Sequence, residues 1–335
     1  MKSRISISLM LITLIFIFNA VAHVPITGGE NNTLETAIEV REPTKSWAIY
    51  DEIHEPDEAK YYKFYMKSGQ RLKISLFTPQ EGFTPGVVVM GQGLTSEGIL
   101  PSGIEVPDGY NTMVFEGEKS NTREYEPFTP TSYFFTADVD MNINTTGTYY
   151  IAVFDESDHG KVGIAIGFVE TFSITEWLLI PIDVINVHIW EGQNIALILA
   201  PLYLTILAGI GILFFMIKRE HKIKLNLYAS IIMFASFLFI GSGLMVLVQM
   251  IIALAISSSG SSAVVTLIFA LLPIILGISL LRVAFKIPKK LTNKSRIIML
   301  VLGVLGLVFW SGIIIGPIIT IVASMIPAKT KIKGT

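Results

Sequence analysis

Cysteine is absent from all 335 residues, and that absence removes several chemistries at once. No disulfide can staple the chain, no thiolate can hold zinc or an iron–sulfur cluster, and no thiol can act as a nucleophile. Charge is scarce as well, at 16% of residues against 51% hydrophobic, which is too apolar for an ordinary soluble chain and points to membrane segments. Local catalytic signatures are missing too: there is no G-x-S-x-G elbow, H-E-x-x-H helix, P-loop or dinucleotide fingerprint.

What charge there is lies unevenly. Residues 23–178 hold ten Lys/Arg against twenty-four of the twenty-seven Asp/Glu, a net of −14, so the near-neutral whole joins an acidic N-terminal part to a basic C-terminal one. Phosphate backbones are bound through Lys and Arg, so the acidic part disfavours nucleic acid and leaves a protein, a glycan or a cation as partner. Residues 1–22 read as a secretory signal peptide, with basic Lys2 and Arg4, an apolar run from Ile5 to Phe18, and small Ala20 and Ala22 at the cleavage site. Cleavage after Ala22 makes His23 the first residue of the mature chain.

Four long apolar runs follow, at about 194–217, 225–256, 263–285 and 297–325, each meeting the roughly 20 residues needed to cross a hydrocarbon core. The loops "KREHKIK" (218–224) and "KIPKKLTNKSR" (286–296) carry four and five basic residues, whereas "SSSGSS" (257–262) carries none. Basic loops stay cytoplasmic, which predicts a multi-pass protein of the cell membrane with its N-terminal domain outside. The basic tail 326–335, with Lys329, Lys331 and Lys333, fits less well: either its charge is tolerated outside, or the last run, which contains "GIIIGP" (312–317), bends and re-enters. Four spans are the expectation. The stretch 172–193 is read as an interfacial amphipathic helix, with a capping box at Ser173 and Glu176 and with Trp177 and Trp190 near its ends. Arg282 is the one ionisable residue inside the runs and sits close enough to an edge to snorkel, which disfavours proton-coupled transport. Gly312 and Gly316 are spaced for close helix packing, expected within the bundle; a homo-oligomer or membrane-protein partner through the bundle stays open.

In "KYYKFYMKSGQRLKISLF" (60–77), Tyr62, Phe64 and Met66 alternate with polar or outward residues, and Leu72, Ile74 and Leu76 do so after a Ser68–Gly69 turn. In "GTYYIAVFDESDHGKVGIAIGF" (147–168) the same holds for Tyr149, Ile151 and Val153, then Val162, Ile164 and Ile166. Period-two alternation of this kind reads as two β-hairpins, with "GVVVM" (86–90) and "NTMVFEG" (111–117) as further strands. The predicted fold is an all-β, jelly-roll-like extracytoplasmic sandwich over 23–171, followed by the linker helix 172–193 and an all-α domain of about four transmembrane helices over 194–325.

The blocks "DEAKYYKFYMKSGQRLKISLFTP" (57–79) and "TGTYYIAVFDESDHG" (146–160) resemble the strands of the pre-peptidase C-terminal domain family. The resemblance implies a jelly-roll-like accessory module of exported proteins, often a substrate-binding or secretion appendage and not itself a catalyst. This sequence departs from the pattern in the roughly seventy residues between the blocks and in having no peptidase ahead of them, and folds of this kind host many roles.

Three histidines fall in the exported part. An N-terminal His23 offers amino and imidazole nitrogens to copper, an arrangement that resembles the histidine brace of copper monooxygenases, with His54 or His159 as the further ligand. The acidic loops "DEIHEPDE" (51–58) and "DESDHG" (155–160) supply oxygen ligands of the kind calcium takes, Asp155 and Asp158 foremost, although neither has EF-hand spacing. Asn31 and Asn144 lie in glycosylation acceptor patterns. No catalytic residue is assigned. The leading expectation is a non-catalytic, membrane-anchored binding module, and the alternative is a copper protein or copper-enzyme subunit built on His23.

Overall fold

A computed structural model describes residues 23–220, 227–258, 260–286 and 291–326. The expected signal peptide, parts of both basic loops and the lysines of the tail lie outside the described residues. The chain forms two compact units: residues up to Thr78 with Gly82–Lys119 and Phe135–Phe172, and Pro79–Glu81 with Ser120–Phe134 and the chain from Ser173 on.

The first unit is a β-sandwich. Its strands are β1 (Val24–Thr27), β2 (Ile38–Glu39), β3 (Trp47–Ile53), β4 (Ala59–Met66), β5 (Arg71–Thr78), β6 (Gly86–Gly91), β7 (Asn111–Phe115), β9 (Thr131–Asn142, from Phe135 on), β10 (Gly147–Phe154) and β11 (Gly160–Ile166), while β8 (Glu124–Glu126) belongs to the second unit. One sheet is ordered β1-β3-β11-β5-β9 and the other β2-β4-β10-β6-β7. The alternating residues meet between them: Tyr62, Phe64, Met66, Leu72, Ile74 and Leu76 join Tyr149, Ile151, Val153, Val162, Ile164 and Ile166 in one buried core.

The inward faces are those the alternation predicts, but the pairing is not. β4 and β5 lie in opposite sheets, as do β10 and β11, so both expected hairpins are arches that cross the core. β4 instead pairs antiparallel with β10, Tyr62 opposite Ile151, and β11 pairs with β5 and β3. Alternation buries the same residues whether the chain returns within one sheet or folds over to face it, so period two alone cannot separate the two. β6 is buried along its whole length, because Val88 and Met90 on its outer face are covered by a second cluster that includes Tyr61, Ile104 and Phe154. A continuous apolar run is what a strand buried on both faces requires.

The second unit is helical, with α1 (Ile174–Trp190), α2 (Ile195–Glu220), α3 (Leu227–Ile256), α4 (Ala263–Ala284), α5 (Asn293–Val308) and α6 (Ile315–Met325). Three helices are long and apolar enough to cross a membrane, Ile195–Phe215, Leu227–Ile256 and Ala263–Ala284, and the shorter apolar Ile315–Met325 accompanies them. α1 starts on the predicted capping box, with Glu176 N donating to Ser173 Oγ (3.2 Å) and Ser173 N to Glu176 Oε2 (2.6 Å).

The last apolar run bends. Trp310, Gly312, Ile313 and Ile314 all have positive φ (52°, 70°, 48° and 64°), and the two arms return on each other: Arg296 donates to Ser324 O and Met325 O (2.9 and 3.2 Å), while Gly303 abuts Pro317 and Ile321. Gly312 and Gly316 both pack on Phe239 of α3, and the Gly312 amide, freed by the break, donates to Ser242 Oγ (2.7 Å). Broken helices are tolerated at membrane depth where neighbouring helices satisfy their backbone in this way. At the bend, Trp310 stacks on Phe269 (5.1 Å) and lies 4.6 Å from Trp177, whose carbonyl accepts its indole N–H.

Candidate functional site

The five residues expected to bind metal divide between the two ends of the sandwich. Strand β1 runs parallel to β3 with Val24 opposite Trp47, so His23 sits beside Ser46, and its Nδ1 is 2.6 Å from Ser46 Oγ. Burial, and then the charge of Lys73, bring the His23 imidazole down to about 4. His54 follows the far end of β3, a strand length of roughly 25 Å away at the usual rise per residue. His159 precedes β11, whose Gly160 is opposite Ile53, so it shares His54's end. The structure therefore does not bring His23 to either expected partner, because the parallel register of β1 fixes it at the start of β3. It also engages the ring nitrogen nearest the α-amino group, the one a brace would use.

Asp155 is buried and turned inward. Its Oδ1 accepts from Ser157 N, Ser157 Oγ and Asp158 N (3.0, 3.1 and 3.0 Å), and its Oδ2 from Thr84 N (3.3 Å), so it organises its own loop. Asp158 and His159 are exposed neighbours, 3.6 Å apart. Among the described residues no group of three or more His, Cys, Asp or Glu is gathered as a metal site. Asn31 is wholly buried, its Nδ2 donating to Tyr61 O (3.1 Å), so the folded sandwich does not offer that acceptor pattern to solvent, while Asn144 is exposed.

Two features of the molecule present polar groups to a hollow. In the sandwich unit, an open groove of about 440 Å³ lies along the edge formed by β2 and the turn after it. Tyr65, more than half exposed, stands on its wall with Arg41, Glu42, Lys45 and Lys67. Trp47 shapes the turn: its indole N–H donates to Arg41 O and Glu42 O (3.0 and 3.3 Å), and Lys45 Nζ lies 4.4 Å above its ring.

In the helical unit, a cavity of about 260 Å³ is bounded by Arg123, Thr131, Ser132, Glu191, Gln193 and Gln249 on its polar side and by Ile252, Ala253 and Ile256 on its apolar side. Glu191, just after α1, is its hub. Thr131 Oγ1 donates to Oε1, and His188 Nδ1 (3.0 Å) and Gln193 Nε2 (3.3 Å) donate to Oε2. Gln249 of α3 donates to Gln193 Oε1 (2.9 Å). Burial pushes the Glu191 carboxyl up, but the bond from His188, its charge, and the bonds from Thr131 and Tyr133 outweigh that and hold it below the usual carboxylate range. Sequence reasoning missed this cluster. Its signal is a lone Gln249 in an otherwise apolar helix, opposite an H-x-x-E-x-Q run at 188–193, and a polar side chain inside a span is a functional pointer in its own right.

Comparison with known proteins adds little. No protein-family model matches the chain, and no curated protein matches it. Among solved structures, the β part is similar to the pre-peptidase C-terminal domain of collagenase from Bacillus anthracis, at 14% identity over 39% of this chain and 93% of that one, with a TM-score of 0.24. It is also similar to MopE, a secreted protein of Methylococcus capsulatus in which an oxidized tryptophan facilitates copper binding, at 11% identity over 45% of this chain and 100% of that one, with a TM-score of 0.23. Copper binding there is a property of that protein.

Proposed function

We propose that the chain is a non-catalytic binding module: an extracytoplasmic β-sandwich that takes a protein, glycan or cation partner, held at the cell membrane by its helical unit. The observation that carries this reading is the open groove, where a large exposed aromatic ring stands among charges of both signs. Aromatic and arginine side chains on a rigid scaffold are the anchors that recognition surfaces favour. Three helices of spanning length and the basic loops at 218–224 and 286–296 support the placement.

The copper alternative asks His23 Nδ1 to leave Ser46 and find ligands a strand length away, so the geometry favours the first reading. The test uses the full-length protein in lipid nanodiscs, screened against a glycan array and a library of exported protein domains. A specific ligand whose binding is lost in Tyr65→Ala and Lys67→Glu variants of unchanged melting temperature supports the reading. A ligand retained by both variants, or tight one-to-one copper binding lost in His23→Ala, overturns it.

A further inference from the structure

The edge of a sheet exposes main-chain N–H and C=O groups and is a template for another strand, so folded proteins blunt their edges. In the sandwich, β1, β2 and β7 are blunted. β1 bonds to the β3 side through Val24 N (to Ser46 O, 2.9 Å) and Gly28 N (to Tyr50 O, 2.8 Å), so Pro25, which has no N–H, takes the outward side. β2 is two residues long, and β7 is covered by Glu97, whose N donates to Thr112 O and whose O accepts from Val114 N (both 2.9 Å). The remaining edge, β9, is open. Ile143, one residue past its end, donates to Gln70 O (2.8 Å) and accepts from Gly69 N (2.7 Å) just ahead of β5, while Thr136 O accepts from Glu118 N (2.7 Å) on the opposite side. Main-chain groups alternate sides along a strand, so those of Asp138, Asp140 and Asn142 point away from β5. β8 pairs only with Thr131–Tyr133, and these outward N–H and C=O groups have no hydrogen-bond partner among the described residues.

We propose that the β9 edge takes an extended segment of another protein by strand addition, and that this segment alternates apolar with basic residues. The open main-chain groups give such a complex its bonds, and the side chains beside them give it selectivity. Facing the core, the edge ends in Ala137 and Met141, which pack on the core but are only partly buried, so the inward side chains of an added strand meet an apolar surface. On the outer face stand the exposed Asp138 and Asp140. Asp140 is held by Nε (2.6 Å) and Nη2 of Arg71, whereas Asp138 accepts only from the Ser75 hydroxyl and forms no ion pair among the described residues. A lysine or arginine of the added strand, directly opposite Asp138, supplies the missing charge. The same row turns away a second copy of this chain, because two β9 edges would set aspartate against aspartate. Neither a lone cation nor a glycan matches donors and acceptors that alternate at the spacing of a strand. The edge shares no residue with the groove, so either site can fail without the other.

The test uses the full-length protein in phosphatidylcholine nanodiscs, with empty nanodiscs as the blank. The probe is a short synthetic peptide of alternating valine and lysine; its affinity is read by fluorescence anisotropy and its site by amide hydrogen exchange. Saturable binding that slows exchange over 138–142, with no binding by the same peptide carrying glutamate for lysine, supports the proposal. Methylating the peptide's main-chain nitrogens is the sharper probe. An antiparallel strand loses binding when the lysine amides are methylated and a parallel one when the valine amides are, because one alternate set faces the edge and the other faces away. Asp138→Asn weakens the affinity about threefold and Asp138→Lys more, the scale of one cross-strand charge pair, while Tyr65→Ala leaves it unchanged. The proposal is overturned by absence of binding, by equal binding of the lysine and glutamate peptides, by binding that survives both methylations, or by unchanged affinity in an Asp138→Lys variant of wild-type melting temperature. Protection confined to 38–45 and lost in Tyr65→Ala also overturns it, and assigns the peptide to the groove.

Discussion

In the sandwich unit the buried charges close on their own surroundings: Asp155 accepts three donors from its own loop and one from Thr84, Asp51 accepts from the Tyr62 hydroxyl, and Lys60 pairs with Glu58 (2.8 Å) and Asn32 (2.8 Å). In the helical unit the cluster around Glu191 leaves Gln249 Oε1, Ser132 Oγ and His188 Nε2 without partners among the described residues, against Asn31 Oδ1 in the sandwich. Polar groups that finish each other fix a fold, whereas each one left unfinished sets a cost against it. The contrast separates a unit that pins its buried charges one by one, each to its own neighbours, from one that gathers its polar groups around a single carboxylate.

The largest effect should come from the sandwich core. Ile164 is fully buried between the sheets, so Ile164→Ala removes contacts on a strand paired on both sides and should cost about 2–5 kcal/mol in denaturant unfolding. The contrast breaks if that substitution leaves the sandwich's unfolding unchanged.

The two units should also answer to pH in opposite directions. His23, at about 4 in the folded state against an ordinary 6.5, is protonated first in the unfolded chain as pH falls. Its contribution is full above 6.5 and drains between 6.5 and 4, up to about 3 kcal/mol. Glu126 in the second unit is pushed by burial up to about 7, with a bond from Phe128 N opposing. There the folded state holds the proton, so stability is full below 4.5 and is lost as pH rises to 7, by a similar amount of about 3 kcal/mol. In melts followed from pH 4 to 8, His23→Asn should flatten the acid limb and Glu126→Gln the neutral limb. A wild-type limb that survives its substitution removes that residue from the account.

Smaller again is the fit at the bend. A Cβ at Gly316 would lie 2.8 Å from the Phe239 ring, so Gly316→Ala should cost about 1–3 kcal/mol, and Phe239→Leu should recover part of it. Additive costs in that double-mutant cycle would mean that the glycine is not there to seat the ring.

How much of this was legible follows the same division. The inward face of each sandwich strand could be read, because burial on one side writes itself every second residue. Sheet membership could not, since Tyr62 and Leu72 point to the same core from opposite sheets. In the helical unit, length and apolarity revealed α2, α3 and α4. The break at 309–314 was legible only as one of two alternatives, from the basic tail and the "GIIIGP" stretch, because an apolar run looks the same straight or folded back. The candidate metal residues were chosen by type, and type says nothing of the register that sets His23 at one end of β3 and His54 at the other. The Glu191 cluster was hidden because its members lie at 123–132, 188–193 and 249, and only the fold assembles them.

The smallest prediction tests the sandwich side of the contrast at its acidic turn. If Asp155 is an internal pin, Asp155→Ala frees three donors on Oδ1 and one on Oδ2 and should cost about 1–3 kcal/mol, whether measured in chelator or in millimolar calcium. Asp158→Ala, on an exposed side chain, should stay within about 0.5 kcal/mol under both conditions. Calcium acting through this loop would give another pattern: wild type stabilised by the ion, and both variants insensitive to it. That result would make the turn a ligand site, because its carboxylates would then serve an ion and not the loop's own donors.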